Sequence, residues 1–243
     1  MKNTAIIIPT RLEARRLPNK PLIKINDLPM IVHVLNRAKE SKVGEVFVAT
    51  ADSEIIDVVK KNGGQTIMTK KDHPSGSDRV YEAYLQKLQE RADLIINLQG
   101  DMPNIKTESI KKLVKFMRES KSDIGTLASD IKNKDEIKNK NIVKVEVGEN
   151  LKSNNFLAAK DFFRTKEDLK SNKIYHHIGI YAFTNIALTQ YVKLSRSKLE
   201  IERNLEQMRA MENNMTIMVG LSKSKALGVD TEDDLNKIIK EMS

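Results

Sequence analysis

Ala5-Ile6-Ile7-Ile8-Pro9 is an apolar run stopped by proline, the pattern of a strand buried on both faces. Outward from it the same signal returns three times within the first hundred residues. Glu45–Thr50 and Gln65–Thr69 read as strands, and Asp93-Leu94-Ile95-Ile96-Asn97-Leu98 as a fourth. Between them the period changes to that of a helix. Pro29–Ser41 aligns Met30, Ile31, Val34, Leu35 and Ala38 on one face, with Pro29 tolerable in the first turn. Ser53–Lys61 and Ser77–Arg91 continue the alternation, and a helix is expected over about Thr107–Ser120. Strands alternating with helices form right-handed βαβ units, which predicts an α/β fold on a mainly parallel sheet.

The rest of the chain is less regular. All six prolines lie within the first 103 residues. Ile142–Val147, Ile178–Phe183 and Thr216–Leu221 read as strands, and Lys198–Asn213 as one amphipathic helix. Thr231-Glu232-Asp233-Asp234 opens a last helix with a capping-box pattern. Lys132–Asn141 is polar with mixed charge signs, as in a surface connection. The predicted organisation is one domain over 1–243, with an insertion at about 130–185.

Composition narrows the function. Lys and Arg number 42 against 33 Asp and Glu, a net charge of +9, and there is no cysteine. The last point excludes a disulfide scaffold, thiol catalysis and thiolate zinc sites. No apolar run approaches the roughly 18 residues of a membrane span, and the N-terminal apolar core is too short for a signal peptide. A cytosolic protein without a membrane partner is expected. The charge suits a nucleic acid, a small anionic substrate or solvated lysines. Interrupted charge runs, 5% aromatic residues and no tryptophan argue against nucleic acid.

Ligands of open parallel sheets bind beyond the carboxyl ends of the strands, so the segments after each strand carry the chemistry. After the first come Arg11, Arg15, Arg16 and Lys20 against a single Glu13. No glycine spacing there fits a phosphate-cradling or dinucleotide loop, so phosphate would be held by side-chain cations and main-chain amides. After the third strand, Ser75-Gly76-Ser77-Asp78-Arg79 opens a helix, and its small polar residues suit capping, nucleotide binding or both. After the fourth, Gln99-Gly100-Asp101 presents a carboxylate suited to Mg²⁺ on a polyphosphate. Asp230 reads either as a second such acid or as a helix-start residue. His176 and His177 are adjacent on a strand and face opposite sides, so they are not expected to share a metal.

Taken together these segments resemble the 3-deoxy-D-manno-octulosonate (Kdo) cytidylyltransferases. The resemblance runs in order through Ile8-Pro9-Thr10-Arg11, Arg16-Leu17-Pro18-Asn19-Lys20-Pro21, Asp72-His73-Pro74-Ser75-Gly76-Ser77-Asp78-Arg79 and Asn97-Leu98-Gln99-Gly100-Asp101. It resumes at His177-Ile178-Gly179-Ile180-Tyr181, Leu205-Glu206-Gln207-Met208-Arg209 and Gly228-Val229-Asp230-Thr231. It implies a Rossmann-like, three-layer nucleotide-diphospho-sugar transferase fold and Mg²⁺-dependent transfer of CMP from CTP to Kdo, for lipopolysaccharide synthesis. A related acceptor, 8-amino-Kdo or a nonulosonate, is the alternative. The resemblance assigns Arg11, Arg16, Lys20 and Asp101 to catalysis. It gives the nucleotide to Thr10, Arg11, Lys20, Ser75, Ser77, Arg79 and Gln99. It gives the sugar to Gln99, His177, Glu206 and Gln207, and the metal to Asp101 and Asp230. The insertion and the 198–213 helix resemble dimerisation elements, implying a homodimer. The chain departs from the family pattern at Ala51, where an acid is usual, at Met102, where Glu is usual, and at Phe156-Leu157-Ala158, read against a Phe-Ser-Arg segment.

Overall fold

The computed structural model describes residues 3–13, 16–120, 122–166 and 173–242, so Arg15 and part of the insertion lie outside the described residues. The chain forms two compact units, Met1–Lys111 with Ala226–Ser243, and Lys112–Lys225.

The first unit begins with β1 (Thr4–Pro9), buried along its whole length. A single 3₁₀ turn (Lys20–Leu22) follows, and then a small hairpin of β2 (Lys24–Ile25) and β3 (Leu28–Pro29). Its tip, Asn26-Asp27, has φ of 47° and 66°, the left-handed pair that a two-residue hairpin requires and that Asn and Asp tolerate. Next come α1 (Met30–Ser41), β4 (Glu45–Thr50), α2 (Ser53–Lys61), β5 (Gln65–Met68), α3 (Gly76–Lys87) and β6 (Leu94–Leu98), and then α4 (Thr107–Ser120), most of which is counted with the second unit. β1 pairs in parallel with β4 and with β6, and β4 in parallel with β5. The continuous apolar runs have the expected cause: Ile6, Ile7, Ile8, Val48, Ile95 and Ile96 are all fully buried. Two boundaries differ from expectation. Pro29 caps α1 from outside the helix, and α3 stops at Lys87 because Leu88 leaves helical backbone at φ −127°.

The second unit holds the strands expected near 142–147, 178–183 and 216–221 together with elements that the sequence pattern did not reveal. In chain order they are β7 (Ile124–Ser129), α5 (Lys134–Lys138), β8 (Lys144–Val147), β9 (Phe156–Phe163), β10 (Ile174–Thr184), α6 (Asn185–Lys193), α7 (Lys198–Arg203), α8 (Met208–Glu212) and β11 (Ile217–Leu221). Strand neighbours return to their starting point: β10 pairs with β7, β7 with β11, β11 with β9, β9 with β8, and β8 with β10 again. Of these described pairs only β7–β11 is parallel, so the parallel expectation holds for the first unit and not here. Beneath α4, Gly125 and Gly220 leave room for Met117 and Phe116, whose atoms a Cβ at either glycine would meet.

The expected 198–213 helix is two helices. Asn204 ends α7 in the left-handed region at φ 51°, and α8 restarts at Met208. The buried ion pair explains the break: Arg209 donates Nε and Nη2 to Glu200 at 2.8 and 2.7 Å. Nine residues of continuous helix would hold their backbones about 13.5 Å apart, too far for that contact.

The chain re-enters the first unit and ends in α9 (Glu232–Met242). Its capping box is realised with Asp234 as the acid: Asp234 N donates to Thr231 Oγ1 and Thr231 N to Asp234 Oδ2. Leu235 and Ile238 pack with Ile25, Met30 and Val229. No helix among the described residues is long and apolar enough to cross a membrane.

Candidate functional site

In the first unit the predicted phosphate and metal residues come together around one cation. Lys20 Nζ donates to Asp101 Oδ2 at 2.8 Å, to the Val229 carbonyl at 2.8 Å and to Asp230 Oδ1 at 3.2 Å. Arg16 reaches the other Asp230 oxygen at 2.9 Å. Three backbone features hold this corner. Asn19 adopts φ 55° and leads into the 3₁₀ turn carrying Lys20. Val229 N donates to the Asp101 carbonyl at 2.9 Å, joining the two acid-bearing segments. Gly100 lets the turns after β6 and β1 meet, since a Cβ there would press on the Pro9 carbonyl and Thr10 at 3.2 Å. Burial alone would lower the Lys20 pKa, but Asp101 and then Asp230 outweigh it and hold the ammonium above its ordinary value. Asp230 is thus both the residue before the α9 capping box and a partner in the cluster.

The remaining first-unit residues form a second group. Ser75 caps α3, accepting from Asp78 N and donating to the Asp78 carboxylate at 2.6 Å. Gln99 donates to Asn97 Oδ1 at 2.9 Å, and Asn97 donates to the buried Ser77 hydroxyl at 3.2 Å. This chain fixes the Gln99 amide above the N-terminus of α3. Arg79 is buried, and its guanidinium donates to Thr69 Oγ1, the Lys70 carbonyl and the Lys71 carbonyl. It therefore clamps the segment before α3. Burial, and then the charge of Arg11, lower the Arg79 pKa, against Asp52 and Glu82. Arg11 is exposed on the turn after β1, where Thr10 N is tied to the Ala49 carbonyl at 3.0 Å.

In the second unit His177 is buried on β10 with Nε2 2.9 Å from Thr126 Oγ1, and its ring meets Phe162 edge-on. Burial, then neighbouring His176, lower its pKa to about 3, so the ring is neutral. His176 faces elsewhere, toward Glu136 at 3.4 Å, as expected of adjacent strand residues. Gln207 is buried just before α8, and the Glu206 carbonyl accepts from the Tyr191 hydroxyl at 2.9 Å. Sequence reasoning missed Tyr181. Its hydroxyl is buried without a hydrogen-bond partner among the described residues, and burial, then Glu206, raise its pKa well above the ordinary phenol value. No local pattern marks such a group, because its isolation is created by packing. Among the described residues no group of three or more His, Asp or Glu side chains is arranged to hold a metal.

The sequence profile of the cytidylyltransferase family matches residues 5–217. The chain is 46% identical over 234 residues to a 3-deoxy-manno-octulosonate cytidylyltransferase of Rhodopseudomonas palustris (strain BisB5), covering 96% of this chain and 94% of that protein. It belongs to that family. The protein of the same name from Brucella canis is 44% identical over 236 residues, covering 96% and 93%. Among solved structures, CMP:2-keto-3-deoxy-manno-octonic acid synthetase complexed with CTP matches with a TM-score of 0.89 at 34% identity, over 99% of this chain and 98% of that one. A UTP-bound UGPase from Acinetobacter baumannii has a TM-score of 0.71 at 12% identity, over 100% and 93%, and shares the fold alone.

One apparent departure from the family pattern has a structural answer. Ala51 stands where an acid is usual, but Asp52 one place later accepts from Leu12 N at 2.8 Å and so anchors the loop bearing Arg11. Ala158 lies early in β9, which ends at Phe163, and Arg164 follows it with its guanidinium donating to the Lys140 and Asn141 carbonyls at 3.2 and 3.1 Å. Arg164 lines a cleft of about 400 Å³ with Lys140, Lys166 and Arg203, balanced by Asp161 and Glu202.

Proposed function

We propose that this protein transfers CMP from CTP to the anomeric 2-hydroxyl of Kdo, forming CMP-Kdo and releasing pyrophosphate, and so supplies activated sugar for lipopolysaccharide. In a chain of this family, one observation carries the reading: three oxygens, from Asp101, Val229 and Asp230, converge on a single cation at the carboxyl ends of parallel strands. The donor set fits Mg²⁺, which takes hard oxygen ligands and needs only one or two protein carboxylates when it rides on a polyphosphate. Asp101 and Asp230 would hold it, and when bound it would supply charge neutralisation on the phosphates.

This chain's own residues do the rest. Arg11, Arg16 and Lys20 hold the triphosphate and offset the charge that grows on departing pyrophosphate, where positioning and electrostatics dominate the chemistry. Thr10, Ser75, Ser77 and Gln99 frame the nucleotide, while Arg79 acts on that pocket by fixing the 69–71 segment. The sugar hydroxyl oxygen attacks the α-phosphorus, the bond from that phosphorus to the oxygen bridging to the β-phosphate breaks, its electron pair leaves with pyrophosphate, and the hydroxyl proton passes to solvent. The sugar acid is assigned to His177, Glu206, Gln207 and Gln99. His177, being neutral, brings no charge to that acid, and Tyr181 joins this set. A homodimer and a cytosolic address complete the proposal.

The test is pyrophosphate release by the purified protein with CTP, Mg²⁺ and a panel of Kdo, 8-amino-Kdo and nonulosonates. Kdo is expected to give the highest kcat/KM. Turnover with another acid and none with Kdo would overturn the substrate, and no CTP-dependent release with any acid would overturn the reaction. Sedimentation velocity tests the dimer.

A further inference from the structure

We infer that Lys20 is a built-in stand-in for the divalent cation, so that the site excludes free metal and admits it only together with a polyphosphate. The inference rests on the reading of Asp101 and Asp230 as the carboxylates that hold Mg²⁺. An ammonium has three N–H donors, and the three acceptors at Lys20 match them: Asp101 Oδ2, the Val229 carbonyl and Asp230 Oδ1. The remaining Asp230 oxygen is taken by Arg16. The acids are therefore neutralised before any ligand arrives, and the oxygens a metal needs are the ones the ammonium uses. A second cation on those oxygens is disfavoured, because it would stand at contact distance from the ammonium and like charges repel.

A free metal ion entering this corner must displace Lys20, whose side chain is only 16% exposed, and leave the ammonium without acceptors. Unmaking charge-assisted bonds at a half-buried site is costly. A triphosphate changes the balance, since its oxygens accept from the displaced Lys20 and Arg16 while the carboxylates turn to the metal. Lys20 thus couples the two ligands, and by linkage each raises the affinity for the other. The same motion delivers Lys20 to the phosphates at the moment its charge is needed there.

The probe is Mn²⁺ without nucleotide, followed on the full chain by the electron paramagnetic resonance of free Mn²⁺ and by calorimetry. Lys20→Met and Lys20→Gln are expected to bind Mn²⁺ about tenfold or more tightly than wild type, as removal of a unit charge beside a divalent ion implies. Mn²⁺ should raise the Tm of both variants and leave that of wild type unmoved. Adding Asp230→Asn to Lys20→Met should return binding to the wild-type level. Variants that fold with unchanged Tm yet bind Mn²⁺ no more tightly than wild type, while wild type turns over CTP and Kdo, would overturn the stand-in role alone. Tight binding that survives Asp230→Asn would instead overturn the carboxylate assignment beneath it.

Discussion

Replacing His177 with Gln should remove one acid-sensitive component of stability and leave the rest. His177 is buried, its Nε2 lies 2.9 Å from Thr126 Oγ1, and that hydroxyl lies 2.7 Å from the Ile180 carbonyl. With Nε2–H donating to Thr126 and Thr126 donating to Ile180, the network is complete for a neutral ring and has no place for a second proton's charge. Burial accordingly drives the pKa from 6.5 to about 3, with His176 adding to it. Between those values the unfolded chain binds a proton that the folded chain refuses, so this group's contribution to stability falls as pH falls through 6.5 and levels off below 3. The linkage relation gives a loss of about 2 kcal/mol between pH 7 and pH 5, and on the order of 5 kcal/mol by pH 3. Glutamine keeps an N–H for Thr126 and does not titrate. Urea unfolding at pH 7, 6 and 5 measures the effect, with wild type expected to lose about 2 kcal/mol more than His177→Gln across that range. Parallel pH profiles for the two proteins would refute the reasoning.

Three further outcomes follow from the geometry. Asp101→Asn should lower turnover far more than stability, because its carboxylate meets Lys20 and not the core; near-normal rates at saturating Mg²⁺ would count against its assigned role. Glu200→Ala removes the buried carboxylate that accepts from Arg209 Nε and Nη2, and should cost roughly 3–5 kcal/mol in denaturant unfolding; a cost under about 1 kcal/mol, the ordinary value of an exposed pair, would mean that water reaches Arg209. Gly220→Ala pushes a methyl into the Phe116 ring and should destabilise by roughly 1–3 kcal/mol, with partial rescue by Phe116→Leu. Absence of rescue in that thermal-melt series would place the strain elsewhere.

β1, β4 and β6 were legible because burial on both faces forces most of the strand to be apolar, and a run such as 5–8 admits few other readings. β7 was not, since Ile-Gly-Thr-Leu-Ala-Ser is rich in small residues. The structure supplies the reason: at Gly125 the strand yields its volume to Met117 and Phe156, so the hydrophobic signal is written on its neighbours. β9 alternates only in its middle, and its two ends are half-buried or buried on successive residues. The α7–α8 break carries neither Pro nor Gly. Asn204 at φ 51° makes the turn, and the deciding contact, Glu200 to Arg209, exists only after the chain has folded back.

The candidate site divides along the same line. The cations after β1 and the acid after β6 could be found because strand ends in a parallel sheet are where ligands bind, whatever the particular sequence. What the residues do to one another there is a tertiary fact. Arg79, expected beside a nucleotide, spends its fork on the 69–71 segment, and Lys20, expected to meet phosphate, sits on the two acids expected to meet a metal. Residue types predicted the correct charges, and the structure assigns those charges to each other before any substrate arrives. A site poised for a triphosphate and a divalent cation must hold like-signed groups close together, as Lys20 and Arg16 stand over Asp101 and Asp230. Pairing them internally keeps that concentration of charge from destabilising the empty fold, and exchange of the pairs, one ligand group for each internal partner, is what lets binding proceed without moving the sheet.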